Sequence, residues 1–452
     1  MGPVSASKSL LRIEDVMKFC QGCAFLAALA APLTARATTF DHHWCFNWKA
    51  VNLDTNIGED FNLTSTWTAR GARIGVQHAV AGNQPVMYTN VGTGCVDFQS
   101  TASSNFTVTI YAETKVGASG NIIVRSFATE ANYVSWRDGP GAPSATLEQW
   151  LWLGVTPACT GTNCTLTMTN TSGTDPVSNM IAVGTQVLHK IDGETTPRIS
   201  GTVELALINE PCGGAGGSGS CFRRESGEPH IAWIQSTDNG DQRKFLIAHE
   251  TGHLLHDVRS GFPAWGGNPW VIATGHHTRC DSAGIPGAHA LRSEELSSGA
   301  FIEGFAHYMA TLTFNSHLST SAWFKYYKDD TSTGGGVTYN FDLVDVEGSG
   351  ASPAGGVSDW LHSANGCTCT ATGCADRGVE MDWLRFLWDF RTDAGTQPTH
   401  AQIFNLTLDA AATHGLLSAS LIQDWLEAEV PGALASRWDT LADANGADPT
   451  PD

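Results

Sequence analysis

The sequence predicts a protein of the α+β class, with a strand-rich N-terminal part and a mainly helical C-terminal part. Residues 38–130 are rich in Thr, Ser, Val and Asn, and 105–112 alternates polar and apolar residues with a period of two. After His230 the pattern changes to longer apolar segments that carry helix start and stop signals. The length of 452 residues allows about two to four domains.

The N-terminal region is predicted to contain several short strands separated by turn clusters. They are expected at 67–77, 86–90, 105–112 and 121–127. We therefore predict a β-sandwich module over 38–130, followed by a mixed β segment or linker over 131–190. The module resembles the immunoglobulin-like or carboxypeptidase-regulatory-like modules of secreted enzymes, a resemblance that implies a fold and no chemistry.

A second domain is predicted over 191–440. It contains an expected edge strand at 231–235, and helices follow at 241–258, 291–312, 378–391, 399–414 and 416–429. Glu294 and Glu295 are expected to be charges in the first turn of the second of these helices. The tail 441–452 is small and acidic, and we predict that it is disordered.

The first 37 residues are typical of an export signal with its start at Met17. Lys18 is followed by an apolar run from Phe19 to Leu33, and the small-x-small sequence at 35–37 matches a cleavage site. We expect a secreted or extracytoplasmic protein, in the periplasm or outside the cell.

The cysteine pattern supports an oxidising compartment. Two of the 12 cysteines, Cys20 and Cys23, fall in the signal, which leaves an even number for disulfides. The predicted pairs are Cys45/Cys95, Cys159/Cys164 and Cys212/Cys221, and Cys280 with the cluster Cys367, Cys369 and Cys374 supplies two more bonds. The alternative for the 367–374 cluster is a zinc knuckle.

The charge of the chain disfavours two classes of partner. The net charge is −20, which repels nucleic-acid phosphates and anionic lipid headgroups. No internal stretch of 18 or more apolar residues is present, so we predict no integral membrane segment. The oligomeric state is not indicated by the sequence.

The motif that carries chemistry is His249-Glu250-Thr-Gly-His253, which falls in the predicted helix 241–258. Residues four apart lie on one helix face, so His249 and His253 can both direct an imidazole nitrogen at one Zn²⁺ ion. Glu250 is offset from that face and lies near a water on the metal, which makes it the candidate general base. The apolar flanks at 245–247 and 254–255 predict a helix packed inside the protein.

The third zinc ligand is predicted from a second segment, Glu303-Gly-Phe-Ala306. Position 256 is His and position 259 is Arg, which excludes the metzincin pattern. Across about 230–312 the chain resembles the gluzincins, the thermolysin-like and aminopeptidase-like zinc peptidases. The resemblance implies Zn²⁺ as cofactor, ligands at His249, His253 and Glu303, Glu250 as the base, and a protein or peptide substrate.

Several assignments remain open at the sequence level. The alternative third ligands are His307, one turn after Glu303, and the histidines at 276, 277 and 289 in the long segment between the two motifs. The candidates for stabilising an oxyanion are Tyr308, Tyr326, Tyr327, Tyr339 and His362. The element that marks aminopeptidases before the metal helix is absent, so exopeptidase action is not indicated.

We therefore expect a secreted zinc metallopeptidase with a zincin-like catalytic domain, an active-site helix and a helical C-terminal subdomain. Two alternatives stay open. One is a non-enzymatic adhesion or interaction protein with a degenerate peptidase domain. The other is a zinc amidase acting on a non-peptide substrate.

Overall fold

Strands and helices alternate through the molecule and confirm the α+β class. The computed structural model describes residues 38–49, 67–117, 122–138, 150–155, 162–169, 176–192, 203–212, 220–223, 230–234, 243–260, 278–279, 291–326, 331–334, 337–340, 343–348, 359–362, 377–395, 397–414 and 422–448. The predicted signal at 1–37 lies outside these residues.

The strands of the first half are β1 (Phe40–Lys49), β2 (Trp67–Thr68), β3 (Ala72–His78), β4 (Gly82–Asn83), β5 (Met87–Tyr88), β6 (Cys95–Ser100), β7 (Thr107–Val116), β8 (Ile122–Phe127), β9 (Trp150–Val155), β10 (Asn163–Thr169), β11 (Val203–Ile208), β12 (Cys221–Arg223) and β13 (His230–Trp233). Those of the second half are β14 (Thr278–Arg279), β15 (Ser293–Leu296), β16 (Trp323–Lys325), β17 (Thr331–Gly334), β18 (Val337–Asn340), β19 (Leu343–Asp345) and β20 (Arg377–Val379). The helices are α1 (Glu130–Asp138), α2 (Pro176–Asp192), α3 (Lys244–Ser260), α4 (Ser297–Phe314), α5 (Glu380–Thr392), α6 (His400–His414), α7 (Ile422–Ala428) and α8 (Gly432–Asn445).

The largest sheet runs across both predicted domain boundaries. Its order is β12-β13-β11-β8-β7-β3-β4, with β5 on β3 and β9 on β7. β11 pairs in parallel with β8, which belongs to the predicted sandwich, and with β13, which belongs to the predicted second domain. In place of a sandwich over 38–130 and a separate domain from 191, Phe40–Asp452 therefore forms one compact unit. β8 and β11 are apolar along most of their length, as expected for strands that are buried on both faces.

The strand expected at the sheet edge has a neighbour on its outer side. β12 pairs antiparallel with β13, so β12 is the outermost of the described strands at this end. The Cys212–Cys221 disulfide explains the difference, because it ties the start of β12 to the chain that follows β11. An extended ligand that adds to this sheet would therefore meet β12 first.

The predicted linker 131–190 contains helix α2. Met180, Val183 and Val187 recur at helical spacing and are buried against the large sheet and α3. The segment is therefore part of the core.

The second predicted helix begins later than expected. Residues 293–296 form β15, which pairs with β20, and α4 starts only at Ser297. Glu294 and Glu295 are therefore not charges in the first turn of a helix. Pairing with β20 favours the extended conformation here and turns Glu295 into the protein, where it is buried.

The C-terminal helices α5 and α6 lie close to their predicted positions. Helix α8 was not predicted, and it continues through Asn445 into the region expected to be a disordered tail. That expectation is corrected for 441–448, because Trp438 stands edge-on to Phe386 and Phe390 of α5 at ring distances of 4.6 and 5.0 Å, and Ala442 is buried. Residues 449–452 lie outside the described part of the chain.

Two of the predicted disulfides, Cys45–Cys95 and Cys212–Cys221, are confirmed. Cys164 is also disulfide-bonded, whereas Cys159, Cys280 and the 367–374 cluster fall outside the described residues. Within the described ranges, none of the helices combines the length and the apolar character needed to cross a bilayer.

Candidate metal centre

Two helices bring the three predicted zinc ligands together. His249 and His253 lie one turn apart on α3, and their Nε2 atoms are 3.0 Å apart. Glu303 on α4 places its Oε2 atom 3.2 Å from His249 Nε2 and 3.4 Å from His253 Nε2. All three side chains are buried. The two sequence motifs therefore converge on one point inside the protein.

Small residues inside both motifs let the helices approach closely enough for this geometry. A Cβ atom at Gly252 of α3 would lie 3.1 Å from Met309 Cβ and 3.3 Å from Ala306 Cα on α4. A larger side chain would have to separate the helices. Gly252 therefore contributes to the site by bringing Glu303 within reach of the two histidines.

A second close approach joins α4 to α5. A Cβ atom at Gly304 would lie 2.4 Å from Trp383 Cβ and 2.8 Å from the Glu380 carbonyl oxygen, which leaves no room for a side chain. The glycine of the Glu-Gly-Phe-Ala segment thus lets the first turn of α5 rest on α4 directly after Glu303. This contact brings Glu380 to the site.

The three donor atoms fit a tetrahedral zinc ion. With bonds of about 2.0–2.1 Å, ligand atoms around such an ion lie about 3.3–3.4 Å apart. The observed separations of 3.0, 3.2 and 3.4 Å are close to that edge length. Two imidazole nitrogens and one carboxylate oxygen are also a donor set that zinc accepts in catalytic centres, with the fourth position open.

The two histidines respond differently to their surroundings. Burial, with smaller contributions from His253 and His307, lowers the pKa of His249 to about 3 against the opposing effect of Glu303. Burial also acts to lower the pKa of His253, but the carboxylates of Glu303, Glu250 and Glu380 together outweigh it and raise that pKa. The carboxylates around His253 thus favour a positive charge at this position, and a bound cation would supply one.

The predicted general base lies beside this group. Glu250 follows His249 on α3, is 3% exposed, and is near enough to His253 to raise its pKa. A buried carboxylate close to a metal position matches the placement that water activation requires.

His307, the alternative third ligand, is engaged elsewhere. Its Nε2 atom lies 2.8 Å from Glu380 Oε2, and its ring stacks on the ring of His249 with a centroid distance of 4.6 Å. The alternative ligands at 276, 277 and 289 lie outside the described residues. Of the candidates that the structure describes, Glu303 is the one that contacts both histidines of α3.

The candidates for oxyanion stabilisation fall in different surroundings. The Tyr308 hydroxyl is 3.3 Å from His400 Nδ1, and the Tyr326 ring stands edge-on to the His307 ring at 5.5 Å. His362 is partly exposed, and its Nδ1 is 3.1 Å from Asp359 Oδ1. Tyr327 and the side chain of Tyr339 are outside the described part of the structure.

Sequence reasoning missed Glu295 and Glu380. Both are buried next to the site, and their side chains are hydrogen-bonded to each other. Burial and the charge of Glu380 raise the pKa of Glu295 well above its usual value, which favours a proton within this pair of carboxyl groups. An acid at the start of a helix is normally a solvated charge, so nothing in the sequence distinguished these two.

Comparison with known protein families, with curated proteins and with solved structures found no match to this chain. The two short motifs and the geometry of the site are therefore the basis for any functional assignment.

Proposed function

We propose that this protein is a zinc-dependent metallopeptidase with His249, His253 and Glu303 as zinc ligands and Glu250 as general base. The observation that carries the proposal is the convergence of the three donor atoms at separations of 3.0–3.4 Å in a buried position. Two histidines and a glutamate brought together inside a protein are costly unless a cation or protons offset their charge and desolvation.

The chain's own groups have defined tasks in this proposal. When bound, zinc supplies a Lewis acid that polarises the scissile carbonyl and makes the attacking water more acidic. The Glu250 carboxylate accepts the proton of that water and then delivers it to the nitrogen of the leaving amine. The helix carrying Glu250 is held in the core by Phe245, Leu254 and Leu255, which fixes the carboxylate relative to the ligands.

A peptide substrate is favoured by the resemblance to the gluzincins and by the position of the sheet. β13 leads towards α3, and β12 is the outermost of the described strands at that end. An extended peptide can add to such an edge through main-chain hydrogen bonds. A secreted or extracytoplasmic location is part of the same proposal and is supported by the disulfides Cys45–Cys95 and Cys212–Cys221.

The test compares two isosteric substitutions at buried glutamates. Glu250→Gln removes the base and leaves the three ligands in place. We expect it to retain zinc and to lose about 10²- to 10⁴-fold in kcat on a protein or peptide-library substrate. Glu113→Gln, at a buried carboxylate on β7, is the matched control and is expected to keep both zinc and turnover.

The same measurement separates the alternatives. Turnover in Glu250→Gln equal to that of the unmodified chain would refute the role of the base. A zinc-loaded chain that cleaves no peptide in a diverse library points to an interaction protein. Cleavage of non-peptide amides alone points to an amidase.

A further inference from the structure

A second group of buried donors lies directly beside the first and shares one residue with it. Glu303, His307 and Glu380 each offer a ligand atom, and these three atoms lie within 4.8 Å of one another. Of these atoms, His307 Nε2 and Glu380 Oε2 lie 2.8 Å apart. His307 and Glu380 have no exposed surface, and Glu303 is 3% exposed.

The fold holds these donors in position from two helices. Glu303 and His307 are four residues apart on α4 and therefore share one face of that helix. Glu380 is the first residue of α5, which Gly304 allows to rest against α4. Phe324 and Tyr326 pack against the His307 ring at centroid distances of 4.8 and 5.5 Å and restrict its rotation.

We propose that Glu303, His307 and Glu380 form a second divalent-cation site, with Glu303 shared between the two ions. With bonds of about 2.1 Å, two donors on one ion lie about 3.4 Å apart in tetrahedral geometry and about 4.2 Å apart when they are on opposite sides of an octahedral ion, so a spread of up to 4.8 Å requires the donors to approach by at most about 0.6–1.4 Å. One imidazole and two carboxylates form a mixed N/O donor set that suits Zn²⁺ or Mn²⁺.

Charge at the site supports a second cation. Glu250, Glu295, Glu303 and Glu380 are all at most 3% exposed, and buried carboxylates need cations or protons to offset their desolvation. Glu295, hydrogen-bonded to Glu380, is a further carboxyl group at the edge of the second site.

This inference goes beyond the proposed peptidase activity. It requires that the described donors bind two ions, and it makes no use of substrate cleavage. The competing explanation is a purely structural pair in which His307 donates a hydrogen bond to Glu380 and packs on the His249 ring. The two explanations differ in the number of ions per chain.

The experiment counts metal in the full-length protein. The chain is stripped with a chelator, dialysed against buffered micromolar Zn²⁺, and measured for zinc per chain by mass spectrometry. We expect two equivalents in the unmodified protein, one in His307→Ala and one in Glu380→Ala. His256→Gln alters a buried imidazole of α3 outside both donor groups and is the matched control, with two equivalents expected.

A second measurement uses only the unmodified protein, so its result does not depend on whether the variants fold. Co²⁺ is titrated into the stripped, unmodified chain while the visible d–d absorption and the electron paramagnetic resonance signal are recorded. Two binding steps are expected, and the second ion should weaken the resonance of the first through the shared Glu303 carboxylate. The same titration with Mn²⁺ tests whether the second site prefers the harder ion.

Each outcome decides the question. A plateau at one equivalent, or an unchanged count in His307→Ala, would overturn the second site and leave His307 and Glu380 as a structural pair. No bound metal would overturn this inference and the proposed function together. Two equivalents without peptide cleavage would refute the proposed function alone.

Discussion

Two buried carboxylates in this molecule have different partners: one is paired with arginine side chains and the other contacts two histidines. Glu113 on β7 lies 2.8 Å from Arg125 Nε and 3.6 Å from Arg73 Nη1, and it accepts a hydrogen bond from the Tyr88 hydroxyl. Glu303 on α4 lies instead between the imidazoles of His249 and His253. Both carboxylates are buried among strands or helices of the same compact unit.

The difference separates a structural ion pair from a candidate metal centre. A guanidinium group keeps its charge at any pH that the folded protein experiences, so Glu113 has its counter-charges within the chain. An imidazole is a positive partner only when protonated, and burial lowers the pKa of His249 to about 3. The carboxylates around His253 raise its pKa and so favour a positive charge there, and a metal ion bound by the two imidazoles would supply that charge.

The largest contrast is expected from the same substitution at the two sites. Glu303→Gln removes the charged ligand, and we expect zinc affinity to fall more than about 100-fold. Substituting a residue that only holds a ligand in place typically lowers metal affinity by about 10- to 100-fold. Glu113→Gln should leave zinc affinity unchanged and lower the free energy of unfolding by about 1–3 kcal/mol. Competition with a zinc chelator measures the affinities, and equal losses in both variants would contradict the distinction.

A second prediction contrasts stability with zinc binding, and it concerns the disulfide Cys45–Cys95. Replacing both Cys45 and Cys95 with Ser should lower the free energy of unfolding by about 2–5 kcal/mol, because the unfolded chain loses a cross-link. The zinc content should not change, because β1 and β6 contribute none of the proposed ligands. Denaturant unfolding followed by metal analysis checks both statements. Loss of zinc in the folded double variant would show that the two regions are energetically linked.

A third contrast concerns pH. Burial, and to a lesser extent His253, lower the pKa of His256 to about 3, so this histidine is neutral when folded but takes up a proton below about pH 6.5 when unfolded. Its contribution to stability is complete above pH 6.5 and is lost as the pH falls towards 3, by about 1.4 kcal/mol per pH unit.

The check compares the unmodified chain with His256→Gln between pH 6.5 and 4.5, both with chelator so that metal release does not contribute. The variant should show a shallower fall in unfolding free energy with decreasing pH. Equal slopes would place the acid sensitivity elsewhere.

The sequence predicted the parts of the site that follow from local spacing. His249 and His253 are four residues apart on a helix, and Glu303 lies in a recognisable segment, so these three residues were found. Glu380 and Glu295 were not found, because their burial depends on the contact of α5 with α4 and on the pairing of β15 with β20. Both are tertiary contacts that leave no periodic pattern in the sequence.

The same distinction applies to the fold. The strands around 105–127 and the helices α5 and α6 have local signatures and were placed well. The joining of β8 to β11 depends on pairing between residues far apart in the chain, whereas the division into separate domains followed from composition and local patterns. Helix α8 was missed because its acidic and small residues hide the few apolar contacts, led by Trp438, that hold it.

The central statement is that three side chains from two helices hold one zinc ion. Anomalous diffraction from a crystal of the zinc-loaded protein, recorded on both sides of the zinc absorption edge, tests it most directly. The account predicts a strong peak within about 2.3 Å of His249 Nε2, His253 Nε2 and a Glu303 carboxylate oxygen. A zinc-loaded crystal without anomalous density between these three residues would contradict it.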